Sequence, residues 1–331
     1  MEERPYLERV HVRGFRCLLD VQLRLTRLHA LVGPNDSGKS TLLTAISRVE
    51  STVQDQLVSR GGRGRATVSL QIAGGSGELG PFNISDPGDS AQSYPIRGKP
   101  EIQNDALDRI VRALDRSRRL ELDPEHLRRP SKLIPHNQPI TFFDPRGTGL
   151  GAVYDAVFSR HKREVLAIED DFRTKFPTVA SLEVRNVSDT EKSIAVRLVN
   201  GTLVEPAQMS EGMLYWLAFA ALRYLDPVGI LLIEEPENGL HPHRIREVMR
   251  VLRELSQTTQ VILATHSPLI LNELQPEEIS IVTRHPERGT QVKRLDETTA
   301  FARRSKAYQN GELWLAYANG EDERELVGDP E

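Results

Sequence analysis

The chain has 331 residues, with 43 basic and 47 acidic side chains and a formal net charge of −4. That length can bury a large core as one big or two modest domains, and the near balance of charge excludes a global pull toward nucleic acid or membrane, leaving only local patches. A single cysteine, Cys17, excludes an internal disulfide; the opening Met1-Glu2-Glu3-Arg4-Pro5 and apolar runs as short as Gly229 to Ile233 suit neither a signal peptide nor a membrane span, so a cytoplasmic protein with no membrane partner is expected.

Taken in chain order, Leu7 to Phe15 and Leu18 to Leu25 alternate apolar with polar residues and read as half-buried strands. The apolar run Leu28 to Val32 reads as a third strand. It feeds Gly33-Pro34-Asn35-Asp36-Ser37-Gly38-Lys39-Ser40, a complete G-x-x-x-x-G-K-[ST] phosphate loop, and Thr41 to Ile46 then opens a helix. Glycine at 33 and 38 lets the backbone curl until successive N–H groups, including those around Thr41, face phosphate oxygens. Lys39 adds a positive charge, Ser40 a hydroxyl ligand for Mg²⁺, and the helix its positive dipole end. The motif in that context indicates a nucleotide triphosphate with Mg²⁺; the further elements below make it ATP.

Beyond the loop, Ala66 to Ile72 reads as a strand and Gly74 to Pro100, dense in Gly, Pro, Ser and Asp, as a long surface loop. Residues 106–119 carry apolar side chains at helical spacing with Arg109, Arg112, Arg116, Arg118 and Arg119 between them, which predicts a basic amphipathic helix: a solvated face, or a docking surface for DNA, RNA or an acidic partner. A second long helix is expected over Ala152 to Lys175, followed by paired strands at Ser181 to Val187 and Ser193 to Val199. From Ser210 the pattern alternates: a helix over Met213 to Leu225, a buried strand over Val228 to Ile233, a helix over His243 to Leu255 and a buried strand over Val261 to Ala264. Such alternation means a largely parallel, helix-covered sheet.

Chemistry gathers at the ends of these strands. Gly229 to Ile233 runs directly into Glu234-Glu235-Pro236-Glu237, which places carboxylates at the sheet's carboxyl edge, where α/β folds bind ligands. Glu234 is the candidate for holding Mg²⁺ through water and Glu235 for orienting or deprotonating the attacking water. His266, in Thr265-His266-Ser267-Pro268, can report the γ-phosphate by a hydrogen bond. Ser210-Glu211-Gly212, opening an apolar helix, offers an N-cap hydroxyl and a glycine for close approach at a second anion-binding helix start. Asn238-Gly239-Leu240-His241-Pro242 is a turn suited to a subunit contact.

In this order the residues resemble the ABC-type heads of SMC and RecF proteins, and most nearly the stand-alone ATPases related to the overcoming-lysogenisation-defect (OLD) family: Gly14-Phe15-Arg16-Cys17, the phosphate loop, Ser210-Glu211-Gly212 as signature, Glu234 to Pro242 as Walker B plus D-loop, and Thr265 to Pro268 as switch. The resemblance implies a two-lobed α/β P-loop NTPase head with a helical insertion. It further implies a homodimer in the ATP state, paired head to tail so that Ser210 and Gly212 close over the partner's ATP, with Arg16 near the phosphates and Gly147-Thr148-Gly149-Leu150 starting the helix of the inserted lobe. The lobes expected are 1–73 with Walker A, 74–180 as insertion, 181–296 with signature, Walker B and switch histidine, and 297–331 as a tail. The family's Q-loop glutamine has no unique place here, with Gln71, Gln103 and Gln138 all candidates. Too few residues follow the last recognisable strand for the Toprim domain of OLD nucleases, so an effector on a separate chain is expected, in a DNA-linked or anti-phage defence system; DNA itself remains an open partner. Two other readings are a transporter's nucleotide-binding subunit, disfavoured by the long stretch from Ser40 to Ser210, and a scaffold that holds ATP without turnover, disfavoured by the presence of Glu235.

Overall fold

The computed structural model describes residues 4–58, 66–73, 79–84, 113–304 and 309–318. In chain order the strands are β1 (Leu7–Phe15), β2 (Leu18–Arg24), β3 (Leu28–Val32), β4 (Ala66–Ile72), β5 (Leu79–Ile84), β6 (Arg118–Leu120), β7 (Ser131–Lys132), β8 (Val179–Asn186), β9 (Glu191–Leu198), β10 (Leu203–Val204), β11 (Ile230–Glu234), β12 (Gln260–Thr265), β13 (Ile279–His285) and β14 (Gly289–Arg294). The longer helices are α1 (Lys39–Val58), α2 (Leu150–Arg160), α3 (Lys162–Lys175), α4 (Glu211–Ala221), α5 (Pro242–Leu255) and α6 (Asn310–Ala318). The chain divides into two compact units, one of residues 1–119, 228–235 and 252–331, the other of 120–227 and 236–251.

In the first unit a sheet of order β14-β13-β3-β12-β11-β6 holds the strands that were read as buried. β13, β3, β12 and β11 run parallel, and every residue of β3 and β12 is buried. Burial on both faces explains their unbroken apolar runs, each large apolar side chain contributing about 1.5–3 kcal/mol. The second sheet, β2-β1-β4-β5, pairs β2, β1, β4 and β5 antiparallel in turn. Leu42, Leu43, Ala45, Ile46 and Val49 of α1 share one core with residues of both sheets, including Val10, Val68, Leu232 and Ile262. The fully buried His29 on β3 satisfies both ring nitrogens, Nε2 against Ser280 Oγ at 2.9 Å and Nδ1 against Thr26 Oγ1 at 3.2 Å. Burial lowers its pKa to about 3, so it packs as a neutral ring.

The second unit is built on β7, β8, β9 and β10, antiparallel and centred on β9. α2 packs on β9 and α3 on β8. α4 is apolar on all sides, with Leu214 to Ala221 continuously buried, as a core helix must be. Tyr154 Oη donates to Leu217 O at 3.0 Å and ties α2 to α4.

Four features depart from the pattern read in the sequence. The helix expected over Ala152 to Lys175 is two helices, because His161, at φ −132°, ends α2 and begins α3; neither Pro nor Gly marks the break, which serves packing onto successive strands. β5 lies inside the stretch read as loop from Gly74 to Pro100; as the edge strand beside β4 it tolerates Pro81, and the rest of that stretch, apart from residues 79–84, lies outside the described residues. Most of the basic helix expected over 106–119, including Arg109 and Arg112, likewise falls outside them. Its end is not helical: Arg116 takes a left-handed φ of 54° and Arg118 and Arg119 stand on β6. Finally, the β13–β14 hairpin adds a pair of strands that the motifs did not announce.

Candidate nucleotide-binding site

Parallel pairing brings three strand ends level. Thr265 is the register partner of Val32, and Glu234 that of Ala264, so the phosphate loop, the acidic pair and the Thr265-His266 turn leave the sheet along one edge. There a cavity of about 810 Å³ is lined by Asn35, Asp36, Gly38, Lys39, Ser40 and Thr41 together with Glu234, Glu235 and Ala264, and by Cys17 and Arg284.

The loop has its shape because its glycines are enclosed. A Cβ on Gly33 would lie 2.1 Å from Val282 O and 2.7 Å from Ser37 Oγ, and one on Gly38, at φ +107°, would lie 2.3 Å from Thr290 Oγ1. Thr290 is a supporting residue that the motifs do not name. Its hydroxyl donates to Ser37 O at 2.9 Å and its N–H to Cys17 O at 2.9 Å, which fastens the loop and the β1–β2 turn to the start of β14. That turn presents Arg16 in a left-handed conformation (φ 51°), its guanidinium 5.3 Å from the centre of the Phe15 ring. Pro34 contributes its carbonyl: Lys39 Nζ donates to Gly33 O and Pro34 O, both at 2.8 Å.

Opposite the loop, Ser40 Oγ donates to Glu234 Oε2 at 2.7 Å, bringing together the hard oxygen donors that Mg²⁺ takes. Glu234 Oε1 is buried with no hydrogen bond aligned on it, and it forms an ion pair with Arg119. Ser37 Oγ is also buried with no hydrogen-bond partner. A cavity lined by phosphate-loop residues together with Ser40 and Glu234 fits a Mg²⁺–triphosphate ligand, offering hard oxygens to the cation and the Lys39 charge to the phosphates.

Glu235 is strained and half-buried. Its φ is +45°, its N–H is held by Ala264 O at 2.8 Å, and its carboxylate Oε1 lies 3.6 Å from His266 Nδ1. Among the described residues the non-glycine positions with positive φ are Arg16, Asp36, Arg116 and Glu235; three of these are site candidates from sequence, as strain stored at a functional edge would have it. His266 is positioned through its backbone, whose carbonyl accepts from Trp314 Nε1 of α6 at 3.3 Å.

Ser210 and Gly212 belong to the second unit. Ser210 is the N-cap of α4, its Oγ accepting from Met213 N at 3.3 Å as the sequence predicts. At Gly212 a Cβ would meet only Gly239 O at 3.7 Å, ordinary contact, so nothing among the described residues requires glycine there. Gly239 is required, with φ +67° and the Tyr215 ring 2.2 Å from its would-be Cβ. Burial raises the Tyr215 phenol to about 12, and its hydroxyl stays protonated to donate to Leu122 O at 3.2 Å.

The arginines missed as site residues are Arg119 and Arg284. Arg119 was visible as part of a basic run, yet only the sheet shows that it faces Glu234; Arg284, at the end of β13, had no motif to mark it.

Comparison with known proteins agrees with this geometry. The family described as "AAA domain, putative AbiEii toxin, Type IV TA system" matches residues 100–272, just over half of the chain, and the family "AAA ATPase domain" matches residues 6–74. The OLD nuclease of Thermus scotoductus is 25% identical, over 83% of this chain and 62% of its own length; the chain thus spans less than two thirds of that relative. Among solved structures, an SMC head bound to the C-terminal winged-helix domain of ScpA aligns at 15% identity with a TM-score of 0.53, over 87% of this chain and 97% of its own. An SMC head with extended coiled coil, bound to the C-terminal domain of ScpA from Pyrococcus furiosus, gives 16%, 0.51, 87% and 96%. At such identities the likeness carries the fold, which is that of an ABC-type P-loop head. No helix among the described residues is long and apolar enough to cross a membrane. The phosphate loop, the strand-end carboxylates and the family match over residues 100–272 together make the chain a member of the AAA-domain ATPase family, of ABC type and related to the OLD proteins.

Proposed function

We propose that this chain is a Mg²⁺-dependent ATP hydrolase, cytoplasmic, whose copies pair head to tail in the ATP state and thereby switch an effector protein on a separate chain. The observation that carries the reading is the convergence of Lys39, Ser40, Glu234, Glu235 and His266 on one sheet edge beside a cavity of about 810 Å³. In it, Lys39 and the backbone N–H groups from Gly33 to Thr41 hold the phosphates, with Arg16 close by. Ser40 and Glu234 hold Mg²⁺, which when bound neutralises charge developing on the phosphates. Glu235 orients the attacking water and takes its proton, and His266, 3.6 Å from that carboxylate, reads the presence of the γ-phosphate.

Ser210 and Gly212 act on the partner's ATP. The room in front of Gly212, which the described residues do not fill, supports this. A defence role, DNA-linked or anti-phage, rests on the OLD nuclease relative and on the toxin–antitoxin description of the matching family.

A composite site predicts complementation. Lys39→Ala and Ser210→Arg proteins should each be inactive alone, since every site of either homodimer is broken. After exchange about half the dimers are mixed and half their sites intact, so phosphate release should return to roughly a quarter of the wild-type rate. Demonstrated mixing with no return of activity would overturn the shared site.

A further inference from the structure

Arg119 pairs with the carboxylate proposed above to hold Mg²⁺. It forms an ion pair with Glu234, and its Nη1 donates to Thr44 Oγ1 at 3.3 Å. Thr44 in turn donates to Ser40 O at 2.7 Å, and Ser40 Oγ donates to Glu234 Oε2 at 2.7 Å, so four residues close a ring that joins the first turns of α1 to the end of β11. The segment carrying Arg119 is itself anchored. Gly229 N donates to Asp115 O at 2.5 Å, a Cβ on Gly229 would lie 2.2 Å from Ala113 O, and Arg4 bonds both Asp115 Oδ2 and Val228 O at 3.2 Å.

We infer that Arg119 is a positioning residue that holds Glu234 in place of the metal and competes with Mg²⁺ for it, so that Mg²⁺ enters together with the triphosphate. The inference rests on the proposed role of Glu234 as a metal-holding group. Its physical basis is charge and crowding. The Glu234 side chain is only 10% exposed, and a carboxylate so enclosed is costly without a counter-charge. Arg119 supplies one when the metal is away. A guanidinium on Oε1 would repel a divalent ion drawn to the same carboxylate. The added negative charge of a triphosphate tips that competition toward the metal.

The test is the Mg²⁺ midpoint for binding of a fluorescent ATP analogue, titrated from EDTA upward, with thermal melting of the metal-free and nucleotide-free protein alongside. Arg119→Met should lower the midpoint on the order of tenfold and lower the melting temperature of the metal-free protein, because a buried carboxylate loses its partner. Arg119→Gln, which can still donate to Glu234 without a charge, should lower the midpoint likewise, and Arg119→Lys should stay near wild type. A midpoint within twofold of wild type in the Met and Gln variants overturns the inference. Glu234→Gln separates the two layers. If it leaves the midpoint unmoved, the metal role of Glu234 fails; if it raises the midpoint while the Arg119 variants change nothing, only the competition fails.

Discussion

The phosphate loop and the Ser210-Glu211-Gly212 turn both carry glycine at helix starts, and they differ in what surrounds it. In the loop the neighbours are the chain's own: Val282 O, Ser37 Oγ and Thr290 Oγ1 leave no room for a methyl group at Gly33 or Gly38. At the signature, Gly212 has space before it. The first glycines are demanded by the fold of one molecule. The second is not crowded by any described residue, so the two can be told apart by stability.

The sharpest way to break this comparison is to add the same methyl group at both places. Gly33→Ala forces a Cβ to 2.1 Å from a backbone oxygen, which must displace the loop. We expect a loss of about 3 kcal/mol or more in unfolding free energy and loss of ATP binding. Gly212→Ala should leave the melting temperature unchanged or slightly raised, since alanine is the better helix former by about 0.8–1.0 kcal/mol, while ATP turnover falls. Equal destabilisation by the two substitutions, read by denaturant melts, would erase the distinction.

A second contrast lies inside the first unit, between gripping and reacting groups. Glu235→Gln should retain ATP binding, lower turnover by about 10²–10⁴-fold and accumulate dimer in ATP on gel filtration, whereas Lys39→Ala should lose binding. A monomeric Glu235→Gln protein with wild-type turnover would remove Glu235 from the chemistry.

The smallest effect expected is a pH dependence from the sheet itself. His29 is neutral in the fold, with its pKa lowered from 6.5 to about 3 by burial, while in the unfolded chain it protonates near 6.5. The unfolded state therefore binds the extra proton, and the His29 contribution is complete above pH 6.5 and declines as pH falls toward 3. Between pH 6.5 and 5.5 the loss should be about 1 kcal/mol. His29→Gln, compared with wild type by melts across that interval, should flatten the slope; an unchanged slope would show that other groups set it.

Residue patterns alone carried the elements whose environment is uniform. β3, β11 and β12 are buried on both faces and read as unbroken apolar runs, and the phosphate loop is legible because its geometry needs glycine, lysine and serine at set spacing. The N-cap at Ser210 was visible for the same local reason. Less local features were not. The break at His161 has no Pro or Gly to announce it, and the run of arginines ending at Arg119 has helical spacing although its last residues form a strand.

What the sequence determined by itself is the class of chemistry and the order of its parts, because backbone curl, charge and hydroxyl ligation are properties of adjacent residues. Tertiary structure decided which of the charged residues meet. Ser40 and Glu234 lie 194 positions apart, and Arg119 is distant from both, yet parallel pairing of β3, β12 and β11 and the closeness of residues 113–115 to Gly229 draw them into one ring. Ion pairs across such separations leave no periodicity in a sequence: they arise from strand order, which is set by the burial of the whole sheet and not by the residues that finally touch.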